Sequence, residues 1–217
     1  MIKWYNLFKQ NWWAALEDKF YGLKFLINLV ACYGVYMYVT HLLVVNRFRE
    51  GAVLSDPIQQ LFKPVDLSIP IFVITYVCIV GYIIYIIPRP RDFYFAARAF
   101  LVVFLLRFSF ILLVPLAPAK DMVVLNDPIL DWIVGNNHEI YNDLFFSGHV
   151  ADISIFFLCN RSKWLRGFMG CCAVTVGLLL VWQHVHYTAD VVAAPFFAYA
   201  SYVVFAKKGL ERNATLS

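Results

Sequence analysis

Apolar runs close to bilayer length alternate along this chain with short polar breaks. The first 22 residues are the exception. Trp4, Phe8, Trp12, Leu16 and Phe20 fall four apart, while Lys3, Lys9, Gln10, Glu17, Asp18 and Lys19 fall mostly elsewhere. That spacing predicts a helix over 1–22 lying in the membrane interface, aromatic face down. Six runs follow at 23–45, 67–87, 95–114, 144–159, 167–182 and 191–205, each near enough to the ~20 residues that cross a bilayer. The second stops at Pro88-Arg89-Pro90-Arg91 and the third at Pro115 and Pro118, where proline ends a helix. A polar connection occupies 47–63. An acidic stretch, 117–143, carries Pro128 and Gly135 and has room for a short interfacial helix at 129–134. The last three runs are short, so they borrow length from their flanks or tilt little. The expected fold is all-α: an integral-membrane bundle of six transmembrane helices behind an N-terminal amphipathic interfacial helix. Residues 23–206 form the membrane domain and 207–217 a tail. No internal repeat stands out.

Composition agrees with the pattern. Of 217 residues, 62% are hydrophobic and 15% charged, far from the usage of water-soluble domains. The net charge of +4 is too small to suggest nucleic acid as a partner. The five cysteines lie inside apolar runs, with no CxxC or Cys/His spacing for a metal. Residues 1–22 lack the profile of a signal peptide.

Where the charges sit sets orientation. Lys3, Lys9, Lys19 and Lys24 lie around the start of the first run. Arg89, Arg91 and Arg98 join the second to the third; Arg161, Lys163 and Arg166 join the fourth to the fifth; Lys207, Lys208 and Arg212 follow the sixth. With six crossings all of these share the cytoplasmic side, and both termini face the cytoplasm. Loop 117–143 opposes them, with Asp121, Asp127, Asp131, Glu139 and Asp143 against Lys120. The first outer loop, with Arg47, Arg49 and Lys63, fits less well.

Two polar clusters then fall on the outer side together. One runs from Asp143 to Ser147-Gly148-His149; the other is His186-Tyr187-Thr188-Ala189-Asp190. A His four residues before an Asp at a helix start puts both on one face. The Asp can hold one ring nitrogen and leave the other free as a nucleophile. The second His can serve as proton donor or acceptor. Gly148 permits close backbone approach, and amides at a helix start suit an oxyanion. Each residue also has a plainer role open to it: Ser147 and Asp190 can be helix caps, and the histidines partly wet interface residues. Arg107 lies mid-run in the third segment. A cation there is costly and marks either a binding site or a structural ion pair.

These residues resemble the signature motifs of the sphingomyelin synthase family, a lipid-phosphotransferase branch of the type-2 phosphatidic acid phosphatase superfamily. The family pattern Cys-Gly-Asp, three residues, Ser-Gly-His-Thr is met here by Tyr141-Asn142-Asp143, three residues, Ser147-Gly148-His149-Val150. The Cys-Gly and the final Thr are replaced. His186 to Val191 matches the second motif closely. Arg107, nine residues before Leu116, is similar to the family's Arg ahead of a Leu-Pro segment, and Leu54-Ser55-Asp56-Pro57 is a weak echo of a further motif. The resemblance covers about residues 50–206. In the superfamily's phosphatases, further cations stand where this chain has Tyr82 and Leu180. A phosphate monoester carries close to two charges and a diester one. The missing cations therefore favour a phosphodiester, a whole phospholipid.

The resemblance implies that His186 is the nucleophile, oriented by Asp190, and that His149 is the acid and then the base. It further implies that Arg107, Asp143, Ser147, Gly148 and Tyr187 bind substrate. The donor would be a phospholipid and the acceptor a ceramide-type or diacylglycerol-like hydroxyl, with no cofactor or metal. Water as acceptor would give a phospholipase C-like or phosphatase reaction instead. A lipid carrier with incidental histidines is the non-enzymatic alternative. The partner is the bilayer itself, and a homo-oligomer is compatible with the sequence. The lack of an appended soluble domain resembles bacterial more than animal members, so the expected location is a bacterial inner membrane with the active site on its non-cytoplasmic face.

Overall fold

A computed structural model of the chain describes residues 2–45, 50–127, 145–209 and 211. Its elements are helical: α1 (Ile2–Leu16), α2 (Tyr21–Val45), α3 (Ser68–Ile86), α4 (Pro90–Leu113), α5 (Gly148–Cys159), α6 (Lys163–Trp182) and α7 (Thr188–Tyr202). A π-helical turn, Val203–Lys207, extends α7. Pro90 opens α4, where its missing N–H is not needed and its φ already suits a helix. Ser162 caps α6 by accepting from the Leu165 amide.

α5 is the axis of the bundle. Val150, Ala151, Ile153, Ile155, Phe156 and Cys159 are all buried, so the helix is enclosed on several sides, with His149, Asp152 and Ser154 as its polar positions. It packs mainly on α6 and α7, with α3 and α4 beside it. α6 and α7 also approach closely at Gly177, where a Cβ would come 2.7 Å from Val191 Cγ1. The outward faces of the other helices are apolar too. Ile69, Val73, Val77, Val80 and Ile84 of α3 are exposed, as are Val174 and Leu178 of α6 and Phe196 of α7. Such a belt would be a liability in water and is what lipid contact requires.

Five of the helical segments are long and apolar enough to cross a bilayer: Tyr21–Val39, Ser68–Ile86, Pro90–Leu113, Lys163–Trp182 and Thr188–Lys207. These match five of the six expected crossings, and the protein is a multi-pass helical membrane protein by length and composition. The remaining one, the fourth, expected over 144–159, differs. Its helix begins only at Gly148 and has 12 residues, about 18 Å at 1.5 Å per residue, well short of a hydrocarbon core. The turn at Ser147 sets this late start. The short helix expected at 129–134 lies outside the described residues.

α1 is helical, but its aromatic stripe does not share one environment. Trp12 turns toward the bundle: its Nε1 donates to Ile87 O at 2.9 Å, and its ring stands edge-on to Phe25 at 5.4 Å. Asn11 Nδ2 donates to Pro88 O at 2.7 Å. Both satisfy carbonyls left open at the end of α3. Leu16 and Phe20 stay exposed, joined by Trp13, which the four-residue spacing had not included.

Candidate active site

The catalytic reading rests on the turn between α6 and α7. His186 is buried, and its Nδ1 lies 3.6 Å from Asp190 Oδ2. The sequence spacing predicted that juxtaposition, although the distance is longer than a good hydrogen bond. The same Asp190 oxygen accepts from the Tyr187 amide at 3.0 Å, the returning half of a capping box. The other Asp190 oxygen, fully buried, has no hydrogen-bond partner among the described residues. With Nδ1 turned to the carboxylate, Nε2 is the nitrogen left for chemistry.

The second cluster joins this turn through the backbone. The Ser147 amide donates to Asp190 O at 3.2 Å, which brings the start of α5 to the start of α7. Ser147 is fully buried, and its hydroxyl caps nothing: Oγ has no partner among the described residues. His149, in the first turn of α5, is half-buried and packs edge-on against Phe72 of α3 at 5.5 Å.

Arg107 comes to the same place from α4. A Cβ at position 148 would lie 2.8 Å from Arg107 Cζ and overlap Nη1. The guanidinium thus occupies the space that glycine leaves open. Arg107 itself is buried. Its charge reaches Asp152, three residues beyond His149 and unremarked in the sequence. Asp143 lies outside the described residues. Tyr187 is buried, and its hydroxyl donates to Ala117 O at 2.9 Å and accepts from Leu54 N at 3.2 Å. That hydroxyl is committed to holding together the segments at Leu54 and Ala117.

Asp56 is the residue whose importance the sequence understated. It accepts from Thr188 N at 2.5 Å and from Thr188 Oγ1 at 3.1 Å, as well as from the amides of Ile58 and Gln59. It therefore caps α7 from a segment on the far side of the chain. Burial pushes its carboxyl up, but the bonds from Thr188, Ile58 and Gln59 outweigh this and hold it below its ordinary range. Gln59 adds a bond from Nε2 to His186 O at 3.1 Å. Gln183, wholly buried, accepts from Leu67 N through Oε1, while its Nε2 donates to Ser68 Oγ and to the Val123 and Val124 carbonyls. Polar residues that punctuate an apolar chain were the available signal for all three.

Neither position compared above with the phosphatases carries a cation, and Tyr82 lies about 15 Å along α3 from Phe72, the residue against His149. Tyr82 is buried and stacks on Phe156 at 4.5 Å, and Leu180 is fully buried in the same core.

Residues 142–207 match the family described as PAP2 superfamily C-terminal. That match supports the type-2 phosphatidic acid phosphatase superfamily. Enzymes of this superfamily transfer or hydrolyse the phosphoryl groups of lipid phosphates. The matched segment takes in both histidine clusters, is less than half of the chain, and does not separate the sphingomyelin synthase branch from the phosphatases. No curated protein matches the chain.

Proposed function

We propose that the protein transfers the head-group phosphoryl moiety of a phospholipid to a lipid hydroxyl of the ceramide or diacylglycerol type. The reading rests on one observation above the rest: the Arg107 guanidinium fills the space over Gly148, next to Ser147, whose amide donates to Asp190, the neighbour of His186. A buried cation, a buried hydroxyl and a His–Asp pair around one turn suit a phosphorus centre.

His186 Nε2 attacks phosphorus. The P–O bond to diacylglycerol breaks as protonated His149 gives its proton to the leaving oxygen, and a P–N bond holds phosphoryl and head group on His186. The acceptor hydroxyl then loses its proton to His149 and attacks phosphorus, and the P–N bond breaks. Asp190 fixes the reacting tautomer of His186, while Arg107 and Ser147 Oγ hold phosphate oxygens. Asp143 belongs near His149 or the head-group amine. Tyr187 supports the site through the loops it clamps. Leu180, just before the catalytic turn, brings no cation to it, which favours a singly charged diester over phosphatidic acid. Both lipids reach the site laterally from the outer leaflet of a bacterial inner membrane, with both termini in the cytoplasm and six crossings, α5 being the shortest.

The test is turnover of phospholipid labelled in its head-group phosphate, with and without ceramide. Label on ceramide supports transfer; water-soluble head-group phosphate formed equally in both supports hydrolysis. Faster turnover of phosphatidic acid than of any diester contradicts the proposal.

A further inference from the structure

The mechanism above leaves the carboxylate of Asp152 without a role. It stands half-buried in the first half of α5, the shortest of the proposed crossings. A carboxylate on such a helix is costly, and it marks either a cation it answers or a site it serves. Helix geometry says which groups it can reach. Positions 148 and 152 are about one turn apart on one face, with roughly 5–6 Å between their Cβ positions. The Cα–Cβ bonds of a helix tilt toward its N-terminus, so the Asp152 side chain leans over the turn that holds Gly148 and His149. That patch is already occupied. The Arg107 guanidinium lies where a Cβ on residue 148 would stand, with Cζ 2.8 Å from that point. Asp152 and Arg107 therefore face each other along one turn of α5, and the charge of Arg107 acts on the Asp152 carboxyl.

We infer that Asp152 is a positioning residue for Arg107: its carboxylate draws the guanidinium over Gly148 while the site is empty and competes for it with the phosphate of the substrate. The Arg107 charge is then shared. A phosphodiester brings one negative charge to a cation that a fixed carboxylate already balances. Two unit charges about one helical turn apart in a partly wet site interact on the scale of a tenfold change in an equilibrium constant.

A moderated hold on phosphate suits a transfer between two lipids. The phosphoryl group arrives as one diester and leaves as another, so each turnover ends with release of a product that carries the same charge as the substrate. Holding substrate and product more tightly adds nothing to the chemical step, and it slows release. Removing the carboxylate should therefore strengthen binding, whereas loss of a residue that only braces the fold weakens it or leaves it unchanged. The inference rests on the phospholipid reading, and its test separates the two.

The test is equilibrium binding to the full-length protein carrying His186→Ala, which lacks the proposed nucleophile. The probe is phosphatidylmethanol, a phosphodiester lipid with one charge and a minimal head group. Diacylglycerol of the same acyl chains is the uncharged control. In that background Asp152→Asn should lower the Kd for phosphatidylmethanol about tenfold and leave that for diacylglycerol unchanged. Asp152→Glu, which keeps the charge, should stay close to the parent. Asp152→Ser takes the place of Asp152→Asn if that protein does not fold. With His186 restored, Asp152→Asn should lower KM and kcat for phospholipid together. Tighter binding of phosphatidylmethanol that Asp152→Glu does not share upholds the inference even if no phospholipid is turned over, in which case the phospholipid reading alone has failed. Weaker or unchanged binding of phosphatidylmethanol overturns it. So does equal tightening of diacylglycerol, or equal tightening in Asp152→Glu.

Discussion

At the scale of single residues, the site depends on what is absent from position 148 as much as on what is present around it. Any Cβ there meets the Arg107 guanidinium. The guanidinium is the far end of a flexible chain, so it can move, and the cost falls on charge placement more than on the fold. Gly148→Ala should therefore lose about 10²-fold in kcat, the scale of removing one donor to a developing charge, while thermal stability stays close to wild type. A large drop in melting temperature with unchanged kcat would show the glycine to be a packing residue instead. The sequence pointed to this position because Gly stands between Ser and His at a polar break. It could not identify the neighbour, since Arg107 comes from another helix. The same holds for His184, whose neighbour Asp121 lies 63 positions earlier in the chain, with no local period to link them.

At the scale of elements, α7 starts where it does because Asp56 reaches it across 132 residues of sequence. The spans themselves were legible, since each long apolar run becomes a long helix; five of six agree in place. What escaped was the length of α5, fixed by the turn at Ser147, and the inward turn of Trp12, which follows from open carbonyls at the end of α3. The tie between Asp56 and α7 has a pH signature. The folded carboxyl titrates below its unfolded value, so its contribution is complete above the ordinary carboxylate range and is lost as pH falls through the folded value. Asp56→Asn turns an N–H donor toward Thr188 N in place of an oxygen. It should cost about 1.5–3 kcal/mol near neutral pH, the range for hydrogen bonds to a charged group. It should also flatten the acid limb of a plot of melting temperature against pH. An acid limb identical to wild type would place the pH dependence elsewhere.

At the scale of the whole molecule, the account joins a lipid-facing bundle to a polar site at one end. From the Lys and Arg distribution we propose that this end faces outside. A single cysteine at Lys120, in a background without the native five, should react with an impermeant thiol reagent applied to intact cells, and one at Lys163 should not. The reverse pattern would move the site to the cytoplasmic leaflet and its substrate with it. Orientation, however, leaves the chemistry open, and the chemistry is the central claim. The most direct measurement is rapid acid-free quenching of the protein with phospholipid labelled in its head-group phosphate, before any acceptor is added, followed by peptide mass spectrometry. The account predicts label on His186, absent from His186→Ala. It also predicts that in His149→Ala label builds up more slowly, by roughly 10² to 10⁴, with natural phospholipid, and nearer the wild-type rate with a nitrophenyl phosphodiester, whose leaving group needs no proton. Label on His149 that survives His186→Ala would reverse the two roles, and turnover with no labelled histidine in any variant would contradict the covalent mechanism outright.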